Sequence, residues 1–412
     1  MDNGKILIVD PFSTGALYAE KFHKLGYQCY AVLANDDMNM DYFSFDSTYF
    51  INKMIYSVQE CKEKFCRDEI LAVVIGAETG VLIGEQLAEY FGVAGNSVRS
   101  GLKRRDKFIM QNALKESGLK HIKSQLINAG SEYFFDSESG YILKPVNSAG
   151  RDGVMFFENK NMLSNYIRNI NWEEINALGI KNDNYILQSF ETGDEFVVDM
   201  IVQDDNIFIC SLCVYKKGHH NGSKFVYENM QMLDIKNKEY QAIIQYATQC
   251  IKALEVKFGA VHMELLAKSS ADGYVNPVMI EMGARLHGGV APIIFEKCYQ
   301  PNLLELSVYN YLNQDLTQFY GKTKGNIFYS KIISKAKVVF LINYQKENKL
   351  DKQLFLSKIQ SLPSFYQAKI LTNGLMPVTV DLLTCPVLVC LVGETSDIDE
   401  NKLRIMFDES IY

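Results

Sequence analysis

Three short apolar runs mark the first hundred residues: "KILIVD" at 5–10, "CYAVLA" at 29–34 and "LAVVIGA" at 71–77. Unbroken apolar character over so few positions is that of strands buried on both faces, as in a parallel sheet. Between and after them lie stretches with helical spacing, "GALYAEKFHKLG", "SVQECKEKFC" and "GVLIGEQLAEYFG". Strand and helix in alternation predict a doubly wound α/β domain over residues 1–105.

From residue 106 the pattern changes. A helix, "RDKFIMQNALKESG", precedes the strands "GYILKPV", "VMFFE", "NYILQSF", "ETGDEFVVDMIV" and "ICSLCVYKK". A helix near 238–254 and two strands around 258–267 and 274–282 follow, an α+β arrangement for residues 106–324. The remainder, 325–412, mixes the strands "AKVVFLIN", "VTVDLL" and "PVLVCLV" with the helix "DKQLFLSKIQSL", again α+β.

Composition narrows the function classes. A chain of 412 residues exceeds one ordinary core and divides into two or three domains. A net charge of −7 without a Lys/Arg block argues against a nucleic-acid partner. The most apolar segment, "VTVDLLTCPVLVCLVG", is too short to span a bilayer and is interrupted by Asp381 and Pro386. The opening "MDNGKILIVDPFSTG" lacks the apolar length of a secretory leader, so a cytoplasmic location without membrane partners is expected. Among nine cysteines, Cys210 and Cys213 form one CxxC inside a strand; with no second pair, buried free thiols are expected rather than a metal or redox centre. The first turn, "DPFSTGALYAE", has one glycine where a dinucleotide fingerprint needs three, which disfavours NAD, FAD and a dehydrogenase.

Chemistry enters at "VMIEMGARLHGG", where Glu281, Gly283 and Arg285 alternate along one strand face. Upstream, Asp272-Gly273 reads as a two-residue hairpin loop, which sets Glu264 opposite Glu281 and His262 opposite Gly283. Pro277 cannot donate to that ladder. Carboxylates directly opposed, with Cβ atoms ~4.5–5.5 Å apart, repel unless a cation lies between them. A few oxygen ligands on rigid strands suit Mg²⁺; the same residues also fit a solvated sheet face with Arg285 as a surface partner. In "ILKPVNSAGRDGV", Lys144 ends a strand before a Gly/Ser-rich loop. The loop's N–H groups would cradle phosphates beside the lysine, or form an ordinary turn. The two features together favour a Mg²⁺-nucleotide site.

These residues, with "IGAETGVLIGEQLAEYFGVAGN", "RRDKFIMQ", "QSFETGDEFVVDM", "VYKKGHHNGSKFVYE" and "VHMELL", resemble the ATP-grasp superfamily, and within it the L-amino-acid ligase branch, over nearly the whole chain. The resemblance implies an ATP-grasp fold: the N-terminal α/β domain, a central nucleotide-binding domain with a small lid at about 112–192, and the C-terminal α+β part. It implies that Lys107 and Lys144 contact phosphates, with Ser148, Ala149, Gly150 and Gly153 in a closing loop. Gln188, Ser189, Phe190 and Glu191 would hold adenine through backbone groups, and Glu195 the ribose. Glu264 and Glu281 would bind Mg²⁺, with Mn²⁺ as a substitute, and Gly283 replaces an Asn that many ATP-grasp enzymes use as a third ligand. Arg285 would stabilise the transferring phosphoryl group, while Glu78, His287, Gly288 and Gly289 would face substrate.

The implied reaction joins a carboxylate to an amine, with amino acids as substrates: ATP phosphorylates the carboxylate, the amine attacks the acyl phosphate, and ADP and phosphate leave. The alternatives are the same chemistry on a non-amino-acid carboxylate or amine, and a catalytically silent nucleotide-binding regulator. The oligomeric state is open, a homodimer included.

Overall fold

This computed structural model describes residues 3–35, 45–132, 136–146, 153–175, 181–321 and 325–412, without the side chains of 52–54. The lid residues Ser148, Ala149 and Gly150 lie outside the described residues.

The N-terminal unit runs β1 (Lys5–Val9), α1 (Leu17–Lys24), β2 (Gln28–Leu33), β3 (Phe50–Ser57), α2 (Val58–Lys64), β4 (Ile70–Ile75) and α3 (Val81–Phe91). Its strands pair in parallel in the order β3-β2-β1-β4. Strand β3 is an edge strand whose apolar run is broken by Asn52 and Lys53, which is why sequence pattern alone passes it over. Helix α2 begins with a capping box between Ser57 and Glu60, and α3 ends at Gly92 in the left-handed conformation (φ 71°).

Helix α4 (Lys107–Glu116) leads into a small antiparallel sheet of β5 (Ser124–Ile127), β6 (Tyr141–Pro145), β7 (Met155–Phe157) and β8 (Tyr185–Ser189), in the order β5-β8-β6-β7. Helix α5 (Lys160–Arg168) covers it through Leu163, and Ile127, Leu143 and Leu187 complete its own core.

The central sheet begins with β9 (Asp194–Gln203), β10 (Asn206–His220) and β11 (Ser223–Met232). After α6 (Gln241–Ala253) come β12 (Phe258–Ser270) and β13 (Gly273–Gly283). Helix α7 (Ala291–Cys298), β14 (Tyr299–Gln300), α8 (Leu303–Tyr311), β15 (Ile327–Tyr329) and β16 (Lys331–Ile332) follow. The chain closes with β17 (Ala336–Leu341), α9 (Lys352–Ile359), β18 (Phe365–Ile370), β19 (Val387–Val392) and α10 (Ser396–Asp408). The C-terminal strands extend the central sheet: its order is β13-β12-β9-β10-β11-β17-β19-β18, with β15 beside β10.

Two sequence expectations are corrected here. "VTVDLL" (378–383) is not a strand. Thr384 Oγ1 accepts from Val380 N and Asp381 N, and Thr384 N donates to Asp381 Oδ1, so side chains draw the segment into a turn. The β12–β13 loop is Ala271-Asp272, because Ser270 pairs with Gly273. The register nevertheless slips twice along β13, around Asn276-Pro277 and at Ile280, and Glu264 ends opposite Glu281 and His262 opposite Gly283. The first bulge falls where proline has no N–H to give and Asn276 is left-handed (φ 53°).

One buried cluster runs from Ile6, Ile8 and Tyr18 through Tyr311 into Val198 and Met200, so the N-terminal and central units share a core. Arg104 reinforces the join. Fully buried, it donates to Glu85 through Nε (2.6 Å) and Nη2 (2.9 Å), and through Nη1 to the Leu254 and Glu255 carbonyls. No helix among the described residues is long and apolar enough to cross a membrane.

Candidate active site

The site grows out of two adjacent rows across one face of the central sheet. In one row Glu281, Glu264, Val197 and Cys213 are successive partners; in the next, Gly283, His262, Asp199 and Ser211. A strand face that packed only against a core would be apolar throughout, so carboxylates and imidazoles in register mark this end of the sheet as chemical.

Around the first row, Lys107 Nζ lies 3.4 Å from Glu281 Oε2. Asp106 caps α4 by accepting from Phe108 N and Ile109 N, which makes Lys107 the first helical residue. A cation there is disfavoured by the helix dipole and is held by the carboxylate opposite. Helix α4 is fastened to the second β13 bulge by Gln111, whose Nε2 donates to Met279 O (3.0 Å) and Ile280 O (3.3 Å). The irregularity that brings Glu281 into register is therefore satisfied by the helix that carries Lys107.

Gly283 leaves room for an ion pair between units: Arg285 Nε is 3.0 Å from Glu78 Oε2. Glu78 follows β4, and its other oxygen is 3.9 Å from Arg105 Nη1. Arg285 Nη1 donates to Leu286 O at 2.7 Å. The partner of Arg285 is thus Glu78 and not Glu281.

In the second row the buried Asp199 carboxylate accepts from His262 Nδ1 (3.1 Å), His287 Nδ1 (3.0 Å) and Ser211 Oγ (2.7 Å). His262 Nε2 reaches Glu264 Oε1 at 3.3 Å, and His287 Nε2 meets the Tyr215 hydroxyl at 3.0 Å. Burial works against the charge on His262, but Asp199 and Glu264 at its two nitrogens push it up to about 9. Burial lowers His287, against the pull of the Asp199 charge. Burial also opposes the Asp199 charge, yet the two imidazoles hold its carboxyl well below the usual range. Sequence reasoning assigned no role to Asp199, although one carboxylate inside the apolar run "EFVVDMIV" signals a paired buried charge.

The remaining site candidates fall around these rows. Glu195, on the same face of β9, pairs with Lys217 and accepts from the Tyr227 hydroxyl at 3.3 Å. Lys217 sits 4.4 Å from the centre of the Tyr227 ring; of the two consecutive lysines on β10 it is the half-buried one, and sequence reasoning gave it no part. Lys144 is buried near the end of β6, and Gly153 is left-handed (φ 68°) against Pro145. At the end of β8, Gln188 donates to Ser124 Oγ, and Ser189 N and Phe190 N donate to Lys123 O and Gly140 O. Those two N–H groups serve the lid sheet. The Ser189 hydroxyl donates to Glu191 Oε1 at 3.3 Å. Both ring nitrogens of His287, expected to face substrate, are engaged by Asp199 and Tyr215, which makes it a buried structural histidine; Gly288 borders open space. Cys210 and Cys213 are buried free thiols, as are most of the others.

The profile of the ATP-grasp domain family matches residues 138–292. Dapdiamide A synthase of Enterobacter agglomerans is 27% identical over 304 residues, covering 71% of this chain and 70% of that protein. The solved L-amino acid ligase of Bacillus licheniformis superposes with a TM-score of 0.73 at 16% identity, covering 100% of this chain and 98% of that one. A carboxyaminoimidazole ribonucleotide synthase from Aspergillus clavatus, complexed with ATP, has a TM-score of 0.67 at 11% identity, with 99% of each chain covered. Both structural likenesses speak for the fold. Residues 138–292 thus match the ATP-grasp domain family, and the fold and the curated relative support a likeness to the L-amino-acid ligase branch of that superfamily.

Proposed function

We propose that this protein is an ATP-dependent carboxylate–amine ligase that joins amino acids through an acyl phosphate, releasing ADP and phosphate. The observation that carries this reading is the direct opposition of Glu264 and Glu281 with Lys107 3.4 Å from the latter. The donor set fits Mg²⁺: two hard carboxylates on rigid strands, about a quarter exposed (24% and 28%), whose mutual repulsion a divalent cation relieves. The ion would be held by Glu264 and Glu281, and it would neutralise charge on the phosphates of ATP.

The chain's own residues do the positioning. Lys107 and Lys144 bind phosphate oxygens, and the loop that includes Ser148, Ala149, Gly150 and Gly153 closes to keep water from the acyl phosphate. The β8 end, Gln188 to Glu191, borders the adenine, and Glu195 takes the ribose. A guanidinium has five N–H donors, of which Glu78 and Leu286 take two from Arg285, anchoring it beside the transferring phosphoryl group. Glu78, between Arg285 and Arg105, is the carboxylate placed to receive a substrate ammonium, with open space at Gly288 for its side chain. Phosphate transfer gives the carboxylate carbon a leaving group; the amine attacks it and loses a proton as phosphate departs.

The test is phosphate release from ATP and Mg²⁺ across pairs of amino acids, with products weighed by mass spectrometry. Release that requires an amino-acid pair and yields the condensed mass supports the reading. Mg²⁺-ATP binding without turnover of any pair points to a silent regulator, and turnover only with another acid or amine moves the substrate class.

A further inference from the structure

The second row of the site has a role beyond filling space. Asp199 is fully buried, and its Oδ2 is held from two sides by Ser211 Oγ (2.7 Å) and His287 Nδ1 (3.0 Å). Those two bonds stop the carboxylate from turning. Its other oxygen, Oδ1, takes His262 Nδ1 at 3.1 Å, which fixes the plane of that imidazole. The opposite edge of the ring then meets Glu264 Oε1 at 3.3 Å. Tyr215 closes the far end, its hydroxyl 3.0 Å from His287 Nε2. The series Tyr215–His287–Asp199–His262–Glu264 therefore runs from β10 to β12 through fixed rings, and it ends on one oxygen of a carboxylate that faces Glu281.

These same three residues, Asp199, His262 and His287, could converge on a metal ion. The geometry favours hydrogen bonds: each imidazole meets a different oxygen of Asp199, and a hydroxyl shares one of them.

We infer that Asp199 is a positioning residue which, through His262, sets the orientation of the Glu264 carboxylate for the divalent cation. The inference rests on the ligase reading, in which Glu264 is a metal ligand. Partners that orient a ligand from outside the coordination sphere commonly contribute about 10–100-fold in metal affinity.

Asparagine and glutamine at position 262 separate the two edges of the ring. In His262→Asn the amide reaches where Nδ1 is, keeping the Asp199 bond and dropping Glu264; in His262→Gln it reaches where Nε2 is, keeping Glu264. Mn²⁺ binding in the presence of ADP, followed by electron paramagnetic resonance on the purified full chain, reads the site without turnover. His262→Asn and Asp199→Asn are expected to weaken Mn²⁺ at least about tenfold. His262→Gln, which keeps Glu264 but loses the anchor on Asp199, is expected to weaken Mn²⁺ by a similar factor, and adding Asp199→Asn to it is expected to weaken the ion no further. Thermal melting separates positioning from loss of fold, since both position-262 variants remove the same ring. Wild-type affinity in His262→Gln with weakening in His262→Asn would overturn the inference, since Glu264 would then be held without Asp199. So would wild-type Mn²⁺ affinity in both while Glu264→Gln loses the ion, an outcome that leaves the metal site standing. Wild-type affinity in Glu264→Gln sinks the metal reading itself. A chelator-resistant metal lost on Asp199→Asn would replace the hydrogen-bond network with a coordination site.

Discussion

The carboxylate of Glu78 occupies the space a side chain at position 283 would need: a Cβ at Gly283 would lie 2.8 Å from Glu78 Oε2 and 3.4 Å from Arg285 Cζ. Glycine is required there by a contact between units of the molecule and not by backbone conformation. Gly283→Ala is expected to fold, since one added methyl in a packed place costs about 1–3 kcal/mol. It must displace the Glu78–Arg285 pair, and a shift near 1 Å in a positioning group lowers turnover by about 100-fold. ATP-dependent phosphate release measures this, and a wild-type rate would show that the pair's position does not matter.

Glu281→Ala removes both a carboxylate opposite Glu264 and the partner of Lys107. Its side chain is partly exposed and its loss also relieves the repulsion from Glu264, so the cost to stability is expected to be small. Turnover is expected to vanish at every Mg²⁺ concentration while the melting temperature barely moves. Activity recovered at high Mg²⁺ would argue that Glu264 alone holds the ion.

Arg104→Met strands Glu85 in the interface between the N-terminal and central units, where both side chains are buried. Removing one partner of such a pair costs about 3–5 kcal/mol. Urea unfolding should show this loss, with partial recovery in the Arg104→Met/Glu85→Leu double variant. A change below about 1 kcal/mol would place the pair among weak, solvent-screened ones.

Acid should loosen the C-terminal strands first. Burial raises the Glu400 carboxyl, but Lys337, Arg404 and Asn229 together pull it below the usual carboxylate range, and it thereby joins α10 to β17 and β11. A carboxyl whose folded pKa is depressed adds stability above its unfolded value of 4.5, and that stability is lost as pH falls through the folded value. Protection against hydrogen exchange in β17 and β19 should therefore fall below pH 4.5, and Glu400→Gln should flatten the dependence. A steep acid response retained in Glu400→Gln would assign it to other carboxylates.

The opposition of Glu264 and Glu281 was legible in sequence, yet by a path the structure corrects. Placing the loop at Asp272-Gly273 gives the observed pairing of Glu264 with Glu281, although the loop lies one residue earlier and two bulges restore the register. The first bulge falls at Pro277, which the sequence flags, but the one at Ile280 escapes sequence reading because its carbonyls are satisfied by Gln111 on a different element. The dual partnership of Asp199 and the pairing of Lys217 with Glu195 escape it for the same reason, since each partner comes from another strand or turn.

What the sequence determined by itself was local: the alternation that faces Glu281, Gly283 and Arg285 one way, the buried parallel strands, and the order of the units, all set by the two-residue period of strands and the burial of apolar runs. Tertiary structure decided which charges meet. It gave Arg285 to Glu78, seated Lys107 against Glu281 and set Asp199 between two histidines, because ion pairs and hydrogen bonds depend on separation in space, which chain order does not encode.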